Sequence, residues 1–140
     1  MLPTKSDIKD YYLKNNTKYI ITVDFDDTLC QHAYPKCGTP IKPICDYIKY
    51  IQTSLYVELI LWTCRTGDPL IAAIDWCNEN EIYFNEINRQ GEFDSSKFTE
   101  SRKVYCNLSI DNTAYSFNID DFIDFNNTIS TKNNTNITDG

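Results

Sequence analysis

Glycine is scarce in this chain: Gly38, Gly67, Gly91 and Gly140 are all it has in 140 residues. None of them opens a G-x-x-x-x-G-K loop or a G-x-G-x-x-G turn, so nucleotide cradling by those two devices is excluded. Histidine is scarcer still. His32 stands alone, which rules out a helix presenting two histidines to zinc. No G-x-S-x-G elbow exists to pair with it. The six cysteines (Cys30, Cys37, Cys45, Cys64, Cys77, Cys106) never fall at C-x-x-C spacing. Zinc-site spacing is therefore missing, and reduced thiols in a cytosol-like compartment are expected. No apolar run approaches the roughly 20 residues of a membrane helix. The opening MLPTKSDIKDYYLKNN has no apolar core of signal-peptide length. A cytoplasmic location away from membranes is the expectation. Positive charge is also short, 13 Lys and Arg against 20 Asp and Glu, for a net charge of −7. The basic footprint of a dedicated nucleic-acid binder is absent. A locally basic pocket for a nucleic-acid end stays open.

What is present suits one folded domain. Hydrophobic residues make up 41% of the chain and aromatics 14%, enough for a real core at this length. Residues 1–18 read as a polar extension in which a weak amphipathic stretch at Ile8, Tyr11 and Tyr12 suggests a short packing helix. Tyr19 to Val23 is a β-rich apolar run of the kind buried on both faces of a parallel sheet. Residues 29–42, with Pro35, Gly38 and Pro40, read as a loop or hairpin. Pro43 suits the first turn of a helix whose apolar face is Ile44, Tyr47, Ile48, Ile51 and Leu55. Val57 to Trp62 is a second strand. Asp68-Pro69 reads as the N-cap and first position of a helix that buries Leu70, Ala73, Ile74 and Cys77.

Ile82 to Phe84 suggests a short strand, 86–102 is polar and irregular, and Val104 to Ile110 is a third full strand. A short helix from Asn118 uses Ile119, Phe122 and Ile123. The domain is expected over 19–125. The Asn- and Thr-rich residues 126–140 are expected to be disordered. Strands alternating with helices predict an α/β fold, a doubly wound, Rossmann-like three-layer sandwich with a mainly parallel central sheet and no large cap domain.

In such a sheet, chemistry collects at the carboxyl ends of the strands. The first strand ends in Asp24-Phe25-Asp26-Asp27-Thr28, the second in Thr63-Cys64-Arg65, and the third in Asp111-Asn112, preceded by Arg102-Lys103. Carboxylates so close cannot all stay ionised without compensation. A hard divalent cation with oxygen ligands supplies it, and Mg²⁺ is the natural candidate. With a lysine, such a cation also neutralises a phosphoryl group. An aspartate there can attack phosphorus, and a second, two residues on, can exchange protons with leaving group and water.

These residues resemble the haloacid dehalogenase-like hydrolase superfamily, in its small capless branch. VDFDDTL at 23–29 matches the D-x-D-x-T-L first motif, LILWT at 59–63 the second, and SIDN at 109–112 resembles the fourth. The similarity extends over roughly residues 19–115 and takes in AYPKCGTPI and DWCNENEIYFNEIN. It implies a Mg²⁺-dependent phosphomonoesterase working through an aspartyl-phosphate. Asp24 would be nucleophile and metal ligand. Asp26 would be general acid/base, its backbone carbonyl on the metal. Thr63 would hold a phosphoryl oxygen, and Asp111 would bind Mg²⁺ directly or through water. Lys103 is expected to balance charge, with Lys97 as the alternative. Tyr34, Pro35 and Gly38 fall in a flap after the first motif. Asn112 stands where many relatives carry a second acid. Arg65 reads equally as a contact to substrate phosphate or as a solvated surface arginine.

The expected partner is a small phosphorylated substrate. A polynucleotide-end phosphatase and a non-catalytic, receiver-like phosphate- or metal-binding module are the alternatives. In a receiver the phosphorylated aspartate lies on a middle strand and the lysine follows the threonine-bearing strand. Here the acidic pair follows the first long strand and the lysine precedes the last one, which speaks against a receiver.

Overall fold

The computed structural model describes residues 2–89, 105–114 and 117–135. Among these residues the sheet has four strands, β1 (Tyr19–Val23), β2 (Val57–Leu61), β3 (Glu86–Ile87) and β4 (Leu108–Ile110), in the order β3-β2-β1-β4. Every pairing is parallel. Helices α1 (Lys5–Asn15), α2 (Lys42–Ile51), α3 (Gly67–Glu79) and α4 (Ile119–Thr135) accompany it. The fold is the expected Rossmann-like α/β class, with no large cap among the described residues. No helix of these residues is long and apolar enough to cross a membrane.

The hydrophobic pattern explains the layering. Ile20, Ile21, Thr22 and Val23 are all buried, as a central strand covered on both faces requires. Val57, Leu59, Ile60 and Leu61 repeat this in β2. In the edge strand β4, Ile110 is buried and Ser109 exposed. Register pairs Val23 with both Leu61 and Ile110, so the three strands end level with one another. From β1 the chain moves through β2 to β3 on one side, whereas β4 lies on the other. The carboxyl ends of β1 and β4 therefore flank the point where the strand order reverses, the usual site of ligand crevices in open parallel sheets.

α2 begins with Pro43 in its first turn and buries Ile44, Tyr47, Ile48 and Ile51. Tyr47 meets Phe122 and Phe125 of α4 edge-on, and its hydroxyl donates to the Pro3 carbonyl at 2.7 Å. α1 is fastened by a capping box. The Asp7 N–H donates to Thr4 Oγ1, and the Thr4 N–H donates to the Asp7 carboxylate. Its buried residue is Ile8.

The elements depart from the sequence expectation in five places. α2 stops at Ile51, and Leu55 is 80% exposed rather than on the buried face. Thr66, not Asp68, is the N-cap of α3. The short strand is Glu86–Ile87, not 82–84, because Asn85 and Asn88 donate from their backbone N–H groups to Leu59 and Leu61 and so place 86–87 against β2. Of the third expected strand, Leu108–Ile110 pairs as β4, residues 105–107 do not join it, and Val104 lies outside the described residues. Residues 126–135, expected to be disordered, continue α4 to Thr135. There Phe125 packs on Tyr47 and Tyr50, and the Asn126 side-chain amide donates to the Pro43 carbonyl at 2.8 Å.

Candidate active site

β1 delivers Asp24 to the carboxyl edge of the sheet, where its N–H donates to the Ile110 carbonyl at 3.0 Å. The next residues turn sharply, with the N–H groups of Thr28 and Leu29 donating to the Phe25 carbonyl. Asp27 takes a positive φ of 62° in this turn, and its Oδ1 accepts the His32 N–H at 3.1 Å. Asp27 thus stabilises the loop. The turn leaves Asp24 and Asp26 half-buried and Phe25 wholly buried.

Burial pushes the Asp24 carboxyl up to about 6. The Asp111 and Asp26 charges add to this, opposed by hydrogen bonds from the Phe25 N–H and the Thr28 hydroxyl. Asp111 follows β4 directly and accepts from both the N–H and the hydroxyl of Thr113, at 2.9 and 2.7 Å. Thr28, fully buried, accepts the Asn112 N–H at 3.0 Å and so ties the first acidic turn to the loop after β4. The first motif includes this threonine, but sequence alone does not disclose its partners.

Thr63 lies just past β2, at the same sheet edge. Its N–H donates to the Asn88 side chain at 2.8 Å and its hydroxyl accepts the Arg65 N–H at 3.1 Å. Asp24, Asp26, Thr63 and Asp111 therefore all follow the carboxyl ends of neighbouring strands. Lys103 and its alternative Lys97 lie outside the described residues.

Arg65 is neither of the things its sequence context suggested. Its side chain is 1% exposed. Nε and Nη2 donate to Oδ2 and Oδ1 of Asp26 at 2.9 and 2.7 Å. Nη1 donates to the carbonyls of Pro35 and Pro69 at 2.9 and 3.0 Å, and Nη2 also to that of Lys36 at 2.7 Å. A guanidinium has five N–H groups, and five oxygens receive them here. None remains for a substrate phosphate, so the expected phosphate contact is corrected to an internal one. The rings of Phe25 and Tyr34 lie 4.8 and 5.1 Å from the guanidinium carbon.

The flap at 29–42 is a narrow hairpin. Gln31 N–H donates to the Thr39 carbonyl and Ile41 N–H to that of Leu29, both at 2.8 Å. The strands approach so closely at Gly38 that a Cβ would stand 2.0 Å from the Gln31 carbonyl oxygen. Trp76 of α3 donates from its indole N–H to the Gly38 carbonyl at 3.2 Å. Tyr34, at the flap tip, is 54% exposed.

Among the described residues no three acidic, thiol or imidazole side chains form a ready ligand cluster. The donor set still fits a hard cation that takes two carboxylates and a backbone carbonyl. The Asp111 charge raises the cost of ionising Asp24, while the side chain of Asp26 faces Arg65 and leaves its carbonyl as the third oxygen.

Fold and site together describe a Rossmann-like α/β domain with acidic residues gathered at the carboxyl edge of its sheet, at the switch point. It is similar to a solved structure of a conserved protein from Bacteroides thetaiotaomicron, with a TM-score of 0.64 and 28% identity over 89% of this chain and 100% of that one. No protein-family model and no curated protein matches the chain.

Proposed function

We propose that this chain is a Mg²⁺-dependent phosphomonoesterase of the haloacid dehalogenase-like kind, acting on small phosphate esters through an aspartyl-phosphate on Asp24. The observation that carries the reading is the pairing of Asp24 with Asp111 at the ends of adjacent strands, where burial and neighbouring charge push Asp24 up to about 6. Two acids so placed are poorly accommodated without a cation.

An Asp24 carboxylate oxygen attacks phosphorus and the bond to the leaving oxygen breaks. Asp26, entering the step in its protonated form, gives that oxygen its proton. Asp26 then takes a proton from water as the water oxygen attacks the same phosphorus, releasing phosphate and restoring Asp24. The Thr63 hydroxyl holds a phosphoryl oxygen, and Lys103 balances its charge. Asp24, Asp111 and the Asp26 carbonyl would hold Mg²⁺, which screens the anionic phosphate from the anionic nucleophile.

The test is turnover of a panel of phosphate esters with Mg²⁺ and with EDTA. EDTA is expected to abolish activity, and Asp24→Asn to lower kcat by about 10⁴-fold with an unchanged circular dichroism spectrum. Equal turnover in Asp24→Asn would reject the nucleophile. No turnover of any ester by the wild type would reject the phosphatase.

A further inference from the structure

We infer that Arg65 is the positioning residue for Asp26, the group that handles the leaving-group proton. The inference rests on the phosphatase reading above. Asp26 lies in the turn after β1, where an isolated backbone bridge to Cys30 places its main chain but does not set the plane of its carboxylate. The planar guanidinium fork supplies what the turn lacks. Two parallel N–H···O bonds of 2.9 and 2.7 Å set both the place and the plane of the carboxylate.

The fork is itself held from all sides. Phe25 and Tyr34 flank it, and the carbonyls of Pro35, Lys36 and Pro69 take its remaining N–H groups. Those carbonyls belong to the flap and to the first turn of α3. One buried side chain thus joins the acid to the two segments that border the crevice. Each Asp26 oxygen keeps a second lone pair, so the fork leaves room for the proton in transit. A lysine, with three donors around a tetrahedral head, cannot reproduce five bonds in a plane.

A purely structural ion pair makes a different prediction. If Arg65 serves only the fold, its loss lowers turnover of every substrate alike. If it aims Asp26, its loss falls on esters whose leaving oxygen needs a proton. A p-nitrophenyl ester leaves as a stable anion, and an alkyl ester does not.

The experiment compares kcat/KM for an alkyl phosphate and p-nitrophenyl phosphate in wild type, Asp26→Asn, Arg65→Lys and the double variant. Arg65→Lys is expected to lower the alkyl ester by about 100-fold and the aryl ester far less, in the pattern of Asp26→Asn. The double variant is expected to be no worse than Asp26→Asn alone, as for two residues acting on one step. Equal losses on both esters, no loss on either, or additive losses in the double variant would overturn the inference.

Should Arg65→Lys fail to fold, Arg65→Gln, which keeps a planar amide donor but not the two-bond fork on Asp26, is read in the same way. A selective alkyl loss supports the inference, and a uniform or absent loss overturns it. Wild-type turnover that Asp24→Asn abolishes separates failure of this inference from failure of the phosphatase reading.

Discussion

Thr28 shows how much of the crevice hangs on one hydroxyl. It donates to the Asp24 carboxylate and accepts the Asn112 N–H, from a residue 84 positions away. Thr28→Val keeps the shape and deletes both bonds. The Asn112 N–H is then left without its partner, a loss of about 1–2 kcal/mol. Urea denaturation is expected to show that loss, and, on the proposed mechanism, ester turnover is expected to fall because Asp24 loses an anchor. An unchanged urea midpoint would count against the link. At this scale the sequence was legible where chemistry is local. Asp24, Asp26, Thr63 and Asp111 stand at strand ends as their spacing implied. Arg65 was not legible, because its role depends on carbonyls from 35, 36 and 69 that only the folded chain brings to it.

Among the elements, α2 and α3 each bury a thiol as well as aliphatic residues. Burial pushes Cys45 of α2 up to about 11 and Cys77 of α3 up to about 12, from a usual 9.0. In both, the folded chain holds its proton where the unfolded chain releases it. The unfolded state therefore binds fewer protons above pH 9, and stability falls as pH rises from 9 towards 12. Burial also pushes Tyr47 of α2 upward and adds to the same trend. Urea midpoints are expected to drop between pH 8 and pH 10.5, and less steeply in the Cys45→Ala/Cys77→Ala double variant. An identical slope in that variant would remove the thiols as the cause. β1, β2 and α2 could be read in advance because long apolar patterns report burial directly. β3 could not, because two residues at a sheet edge carry almost no pattern. α4 outran its expected end because Phe125 and Asn126 find partners on α2, contacts that composition does not encode.

For the whole molecule, strand order is the decisive property, and sequence does not state it. Only the placement of β4 beside β1 turns two distant aspartates into neighbours. A divalent cation that binds the folded crevice and not the open chain stabilises the fold by mass action, about 2.7 kcal/mol at a hundred times its dissociation constant. Mg²⁺ is expected to raise the thermal midpoint of the wild type. Asp111→Asn is expected to lose most of that gain while folding in EDTA much as before. Equal Mg²⁺ gains in both, or no gain in the wild type, would argue against the two-carboxylate cradle. The net charge of −7 makes ionic strength a necessary control, so KCl is matched throughout.

The central position of β1 has a consequence for biosynthesis. One flank of β1 is closed by β2 soon after it leaves the ribosome, but the other waits for residues 107–110, where Asn107 and Ile110 engage Ile20 and Asp24. Until then the nascent chain carries an unsatisfied ladder on a strand whose residues 20–23 are all buried in the fold, the kind of edge that recruits stray strands. Arrival of β4 both ends that exposure and completes the acidic pair, so the crevice matures in the same event that makes the polypeptide safe from self-association.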